Sequence, residues 1–96
     1  MTRNVSNMND MFYDCENLEN INLSSFDTKN VDEMRCMFCD CKKLTYIDLS
    51  SFDFRNVENM INMFLCCNNL KKIVIKKDCY EKIFDKIAKI SNIELI

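Results

Sequence analysis

The sequence predicts an α/β protein: a right-handed solenoid with a parallel sheet along one side. About three 26-residue helix–turn–strand units would be followed by a C-terminal helix–strand cap. Three observations predict it. The chain repeats itself at a fixed spacing, and each copy changes hydrophobic rhythm halfway. After Lys77 the repetition gives way to a different amphipathic pattern.

Aligning Asn4, Asn30 and Asn56 gives a period of 26. Val5, Val31 and Val57 then coincide, as do Met8, Met34 and Met60, and Met11, Met37 and Met63. Phe12, Phe38 and Phe64 follow, then Cys15, Cys41 and Cys67, then Leu18, Leu44 and Leu70. The copies span residues 4–29, 30–55 and 56–77, and the first two share "LSSFD" at Leu23–Asp27 and Leu49–Asp53.

Within each copy, Val31, Met34, Met37 and Phe38 fall at i, i+3, i+6 and i+7, one face of a short helix. Asn30 stands where an N-cap belongs, and Glu33 three residues later completes a capping-box pattern. The spacing then becomes Leu44, Ile47, Leu49, ending in alternation across "YIDLS", which reads as a strand with one buried face. Ile21 and Leu23, and Ile73 and Ile75, are the equivalents. A single unit cannot cover its own apolar side; neighbouring copies would cover it for each other. Phe26 and Phe52 are expected to form a rung on the return path. The six methionines at repeat positions are read as core.

Residues 78–96 read as the cap. "DCYEKIFDKIAKI" puts Tyr80, Ile83, Phe84, Ile87 and Ile90 on one helical face, and Ile93-Glu94-Leu95 echoes the earlier strand triplets. At the other end, Val5, Met8, Met11 and Phe12 would be left partly bare. The chain is therefore read as the C-terminal fragment of a longer array, or as one that self-associates through that uncapped end.

The L-x-x-I-x-L stretch matches the strand part of a leucine-rich repeat. The fuller pattern N-V-x-x-M-x-x-M-F-x-x-C-x-x-L-x-x-I-x-L-S-S-F-D resembles the 26-residue repeat of bacterial surface proteins, the BspA-like leucine-rich repeat family, over residues 4 to about 77. The family's usual Gly before the Cys is replaced by Asp14, Asp40 and Cys66. The resemblance implies a leucine-rich-repeat-type solenoid, display on the cell surface or secretion, and adhesion to a host or cell-surface protein.

Composition limits the other classes. Net charge is −2, split as −5 over residues 1–70 and +3 over 71–96, which gives no strong pull toward nucleic acid. No apolar run reaches transmembrane length, so no direct membrane insertion is expected, and no signal peptide is visible; a cytoplasmic location is the alternative. With no Gly and no Pro, turns must rely on Asn, Asp and Ser.

The seven cysteines raise zinc, above all Cys36-x-x-Cys39-x-Cys41. Against it, Cys15, Cys41 and Cys67 share one repeat position, Cys36 and Cys39 do not recur, and there is no His to complete a mixed site. Packing is the reading, with no metal or other cofactor. Most thiols are expected reduced, Cys39–Cys66 and Cys41–Cys67 being the pairs oxidation would join. Asp27 and Asp53 read as turn acids and no nucleophile–base pair is visible, so no enzyme is expected. What remains is the outward face of the strands: Asn20, Asn22 and Ser24, then Tyr46, Asp48 and Ser50, then Lys72, Val74 and Lys76. Tyr46 is the expected anchor for a protein partner. An intracellular scaffold or a spacer without a ligand site are the alternatives.

Overall fold

The computed structural model describes residues 5–96. Asn4, the expected first residue of the first copy, lies outside them. Strands β1 (Tyr46–Asp48), β2 (Lys72–Ile75) and β3 (Asn92–Leu95) form one parallel sheet in that order, and helix α1 (Lys77–Ile87) connects β2 to β3. Ile47 pairs with Ile73 and Ile73 with Ile93, so the strand triplets align across the sheet. The segment around Ile21 forms no strand. It still runs beside β1, because Glu19 O accepts a bond from Thr45 N (3.2 Å) and Leu23 O accepts one from Ser51 Oγ (2.8 Å).

The expected helices at the start of each copy are not there. Among the described residues α1 is the one α-helix, and residues 31–40 and their equivalents are an isolated bridge followed by a chain of turns. Two residues per copy, four apart, have positive φ: Asp10 (60°) and Asp14 (59°), Cys36 (55°) and Asp40 (62°), Asn62 (57°) and Cys66 (62°). An L-residue in that region ends a right-handed helix. Successive i to i+3 bonds close instead, as from Met11 N to Met8 O (3.3 Å) and Tyr13 N to Asp10 O (3.1 Å). These turns bring i and i+3 to one side much as a helix does, so the apolar spacing fits both.

The freed amides bond to the neighbouring copy. Met8, Asp10, Phe12 and Asp14 donate to the carbonyls of Glu33, Arg35, Met37 and Cys39 at 2.7–2.9 Å. Met34, Cys36, Phe38 and Asp40 donate in the same way to Asn59, Ile61, Met63 and Leu65. The capping-box pattern has a different use too. Glu33 Oε1 accepts bonds from Asn9 Nδ2 (3.0 Å) and Asn59 Nδ2 (3.3 Å), one in each flanking copy. The recurrent Asn at the copy boundary also reaches across, with Asn56 Nδ2 donating to Lys29 O (2.7 Å).

The side chains follow the backbone. Phe38 lies stacked between Phe12 (5.4 Å between ring centroids) and Phe64 (5.3 Å), and Phe26 stacks on Phe52 (6.1 Å). Cys41 Sγ donates to Phe12 O (3.1 Å) and Cys67 Sγ to Phe38 O (2.9 Å), so the recurrent thiol is a small packed donor. Val31, Met34, Met37, Phe38, Leu44 and Ile47 of the middle copy are fully buried, whereas Val5, Phe12, Leu18 and Ile21 of the first are only half-buried. These positions gain burial from a neighbour on both sides, whereas Met8 and Leu23 of the first copy are buried with the second copy alone beside them. Five of the six repeat methionines are core; Met11, in the first copy, is 41% exposed.

Helix α1 buries Cys79, Ile83 and Ile87, an i, i+4, i+8 stripe, with Asp78 in the first turn and Lys86 in the last, both favourable to the helix dipole. Phe84, expected on that stripe, is one residue off it and is 52% exposed, its ring near that of Tyr80. No helix among the described residues is long and apolar enough to cross a membrane.

Candidate binding surface

Alternation in the sheet sends Tyr46 and Asp48 of β1, Lys72 and Val74 of β2, and Asn92 and Glu94 of β3 to the outer face, in the rows Tyr46–Lys72–Asn92 and Asp48–Val74–Glu94. Tyr46 is 38% exposed. Lys72 lies between the two flanking strands: its Nζ is 6.0 Å from the centroid of the Tyr46 ring and 3.2 Å from Glu94 Oε1. The ammonium therefore holds the ring on one side and the carboxylate on the other, at cation–π and ion-pair distances. Glu94 and Asn92 were missed from the sequence face, although the alternation that places Lys72 outward places them outward as well.

The other expected face residues divide. Val74 is only 8% exposed, because it sits on the central strand between Asp48 and Glu94 and both neighbours cover it. Asn22 and Asp48 use a side-chain oxygen to close the turn that follows: Asn22 Oδ1 accepts from Ser24 N (3.0 Å) and Ser24 Oγ (2.7 Å), and Asp48 Oδ1 from Ser50 N (2.8 Å). Asn20 is exposed in the first copy, outside the paired strands, and Ser50 is half-buried in its turn. Lys76 is exposed but has left the sheet; it precedes the first turn of α1, where its carbonyl accepts a bond from Cys79 N (3.0 Å). What the structure brings together is Tyr46, Lys72 and Glu94.

The recurrent aspartates close turns. Asp27 Oδ1 accepts from Lys29 N (3.2 Å) and Asp53 Oδ1 from Arg55 N (3.0 Å). The Arg55 guanidinium also lies 2.7 Å from Asp53 Oδ2, and its hydrogen bonds hold the Asp53 carboxyl down at about 2. Beside it, buried Thr28 (1% exposed) donates through Oγ1 to Asp53 O (3.0 Å) and accepts from Asp53 N (2.8 Å).

All seven cysteines are free thiols. Burial pushes Cys39 and Cys67 up to about 12 and raises Cys41, so these three remain protonated at neutral pH. Cys39 points to Asp40 Oδ2 (3.8 Å), Cys41 and Cys67 to the carbonyls named above, and among the described residues no three His, Cys, Asp or Glu side chains converge on a point that could hold a metal ion.

A small α/β chain with a parallel sheet and backbone bonds between sequence copies is the class these observations define. The model of one family matches residues 1–92, and the chain belongs to that family, described as "Mycoplasma protein of unknown function, DUF285". No curated protein and no solved structure matches it.

Proposed function

We propose that the chain is a solenoid of three 26-residue copies closed by α1 and β3, and that it acts as a non-enzymatic protein-binding module whose ligand docks on the outer sheet face. Backbone bonds between residues 25 apart, and side-chain bonds and ring stacking between residues 26 apart, support the architecture. The observation that carries the binding reading is the group Tyr46, Lys72 and Glu94: an exposed aromatic fixed near the middle of the array by a cation that is itself paired. Rigid aromatics in such surroundings are where interface energy concentrates. The resemblance to BspA-like repeats adds display on a cell surface or secretion, and adhesion to a host or cell-surface protein, as the setting.

The test is capture of host-surface extract proteins on the immobilised chain, comparing wild type, Tyr46→Ala/Lys72→Ala, and a Lys42→Ala control. The reading requires a retained protein that the double variant loses by at least ten-fold and the control keeps. Equal retention on all three removes the sheet face as the site.

The seven free thiols favour a second setting, an intracellular scaffold, since exposed cysteine such as Cys66 persists reduced in a reducing compartment. Protease treatment of intact cells separates the two: a surface module is cleaved and a scaffold is spared.

A further inference from the structure

The ladder of backbone bonds stops at the third copy. In the first, the amides of Asp10, Phe12 and Asp14 donate to Arg35, Met37 and Cys39; in the second, those of Cys36, Phe38 and Asp40 donate to Ile61, Met63 and Leu65. The equivalent amides of Asn62, Phe64 and Cys66 have no acceptor among the described residues. The path of the chain explains why. Ile73 follows its partner Ile47 by 26 residues, but Ile93 follows Ile73 by only 20, because α1 runs directly from the end of β2 back to the start of β3. No fourth turn segment is laid over residues 62–66.

In its place is a cavity of about 500 Å³ between residues 62–70 and the end of α1. By the repeat geometry the three amides face the side on which it lies. Lys86 lines it from α1, Lys89 from the turn that follows the helix, and Asn68 from the facing turn. Asp85, its one acidic lining residue, is 3.4 Å from Lys86 Nζ, and Lys89 has no ion pair among the described residues. Two ammonium groups against one carboxylate line the cavity beside three amides that have no acceptor among the described residues, which favours a ligand that brings acceptors and negative charge.

We propose that this ledge binds a small oxyanion, a carboxylate or phosphate group seated on the amides of Asn62, Phe64 and Cys66 and flanked by Lys86 and Lys89. A second copy of the chain is a poorer occupant. Its carbonyls at Asn9, Met11 and Tyr13, which accept no backbone bond among the described residues, are the formal mates of the ledge amides. Its first copy, however, would have to enter the layer that α1 and β3 already fill beside β2. A ligand of a few heavy atoms meets no such obstacle and suits the volume.

The internal control is the middle copy, whose corresponding amides are already bonded. Amide chemical shifts of the ¹⁵N-labelled chain are followed during titration with inorganic phosphate and, separately, with succinate, at constant ionic strength set by sodium chloride. Saturable movement is expected at Asn62, Phe64 and Cys66, with Cys36, Phe38 and Asp40 unmoved. Lys86→Gln/Lys89→Gln, one change in the last turn of α1 and one in the turn after it, weakens the same titration by about ten-fold. Response to phosphate alone or to succinate alone identifies the oxyanion. Absence of saturation at the three amides with both probes, or unchanged affinity in the double variant, overturns the proposal.

Discussion

Cys36 lies within the segment that periodicity reads as helix and the structure shows as turns, and the two conformations make opposite predictions for one pair of substitutions. Cys36→Ala and Cys36→Gly both remove the half-buried thiol, so comparing them isolates the backbone. In a helix interior Gly is less favourable than Ala by roughly 0.8–1.0 kcal/mol. At the observed φ of 55° the order reverses. A Cβ in the left-handed region costs roughly 1–2 kcal/mol. Glycine's greater freedom in the unfolded chain returns about 0.5–1 kcal/mol of that. The net expectation is that the Gly variant is the more stable by about 0.5–1 kcal/mol. Urea unfolding followed by circular dichroism reads this as a midpoint about 0.3–0.5 M higher, with equal slopes, for a slope near 2 kcal/mol/M. A lower midpoint for Gly than for Ala contradicts the turn geometry. Asn62 and Asp14 have the same φ but side chains that tolerate it better, so glycine is expected to help less there.

Three further outcomes follow from the packing and the charges. Phe38→Ala removes a ring stacked on both sides and is expected to cost about 3–5 kcal/mol, against a smaller loss for half-buried Phe12→Ala; equal losses in denaturant titration count against two-sided burial of the middle copy. Asp53 ionises at about 2 in the folded chain, below its unfolded value of 3.8, so its contribution is present above the unfolded value and is lost as pH falls through about 2. The urea midpoint of wild type should therefore fall more between pH 6 and pH 2 than that of Asp53→Asn, and parallel falls argue against the Arg55 pairing. Iodoacetamide followed by mass spectrometry should label exposed Cys66 first and leave Cys39, Cys41 and Cys67 unmodified until unfolding; early labelling of Cys41 is incompatible with its bond to Phe12 O.

Some of this architecture could be read directly from the residues. The alternation at Ile47, Ile73 and Ile93 marks the strands that pair, and the coincidence of Phe12, Phe38 and Phe64 marks rings that stack. The turn segments were not legible, because Met34, Met37 and Phe38 share a side in either conformation. The one available signal was the usual Gly position held by Asp14, Asp40 and Cys66, which has positive φ; the matching residues four earlier, Asp10, Cys36 and Asn62, share no residue type that would reveal them. On the sheet face, Tyr46 and Lys72 follow from alternation alone, but burial of Val74 depends on strands to both sides of it. The ledge at Asn62–Cys66 leaves no trace in local pattern, since it arises from the shorter span of chain between Ile73 and Ile93.

The link between copies is the backbone ladder, and trans-hydrogen-bond scalar couplings detect it bond by bond. Couplings from Phe38 N to the carbonyl carbon of Met63 and from Phe12 N to that of Met37 are expected, matching donor–acceptor distances of 2.9 and 2.8 Å. Couplings from Phe38 N to Met34 and from Phe12 N to Met8, the helical pattern, with none between copies, would contradict the account.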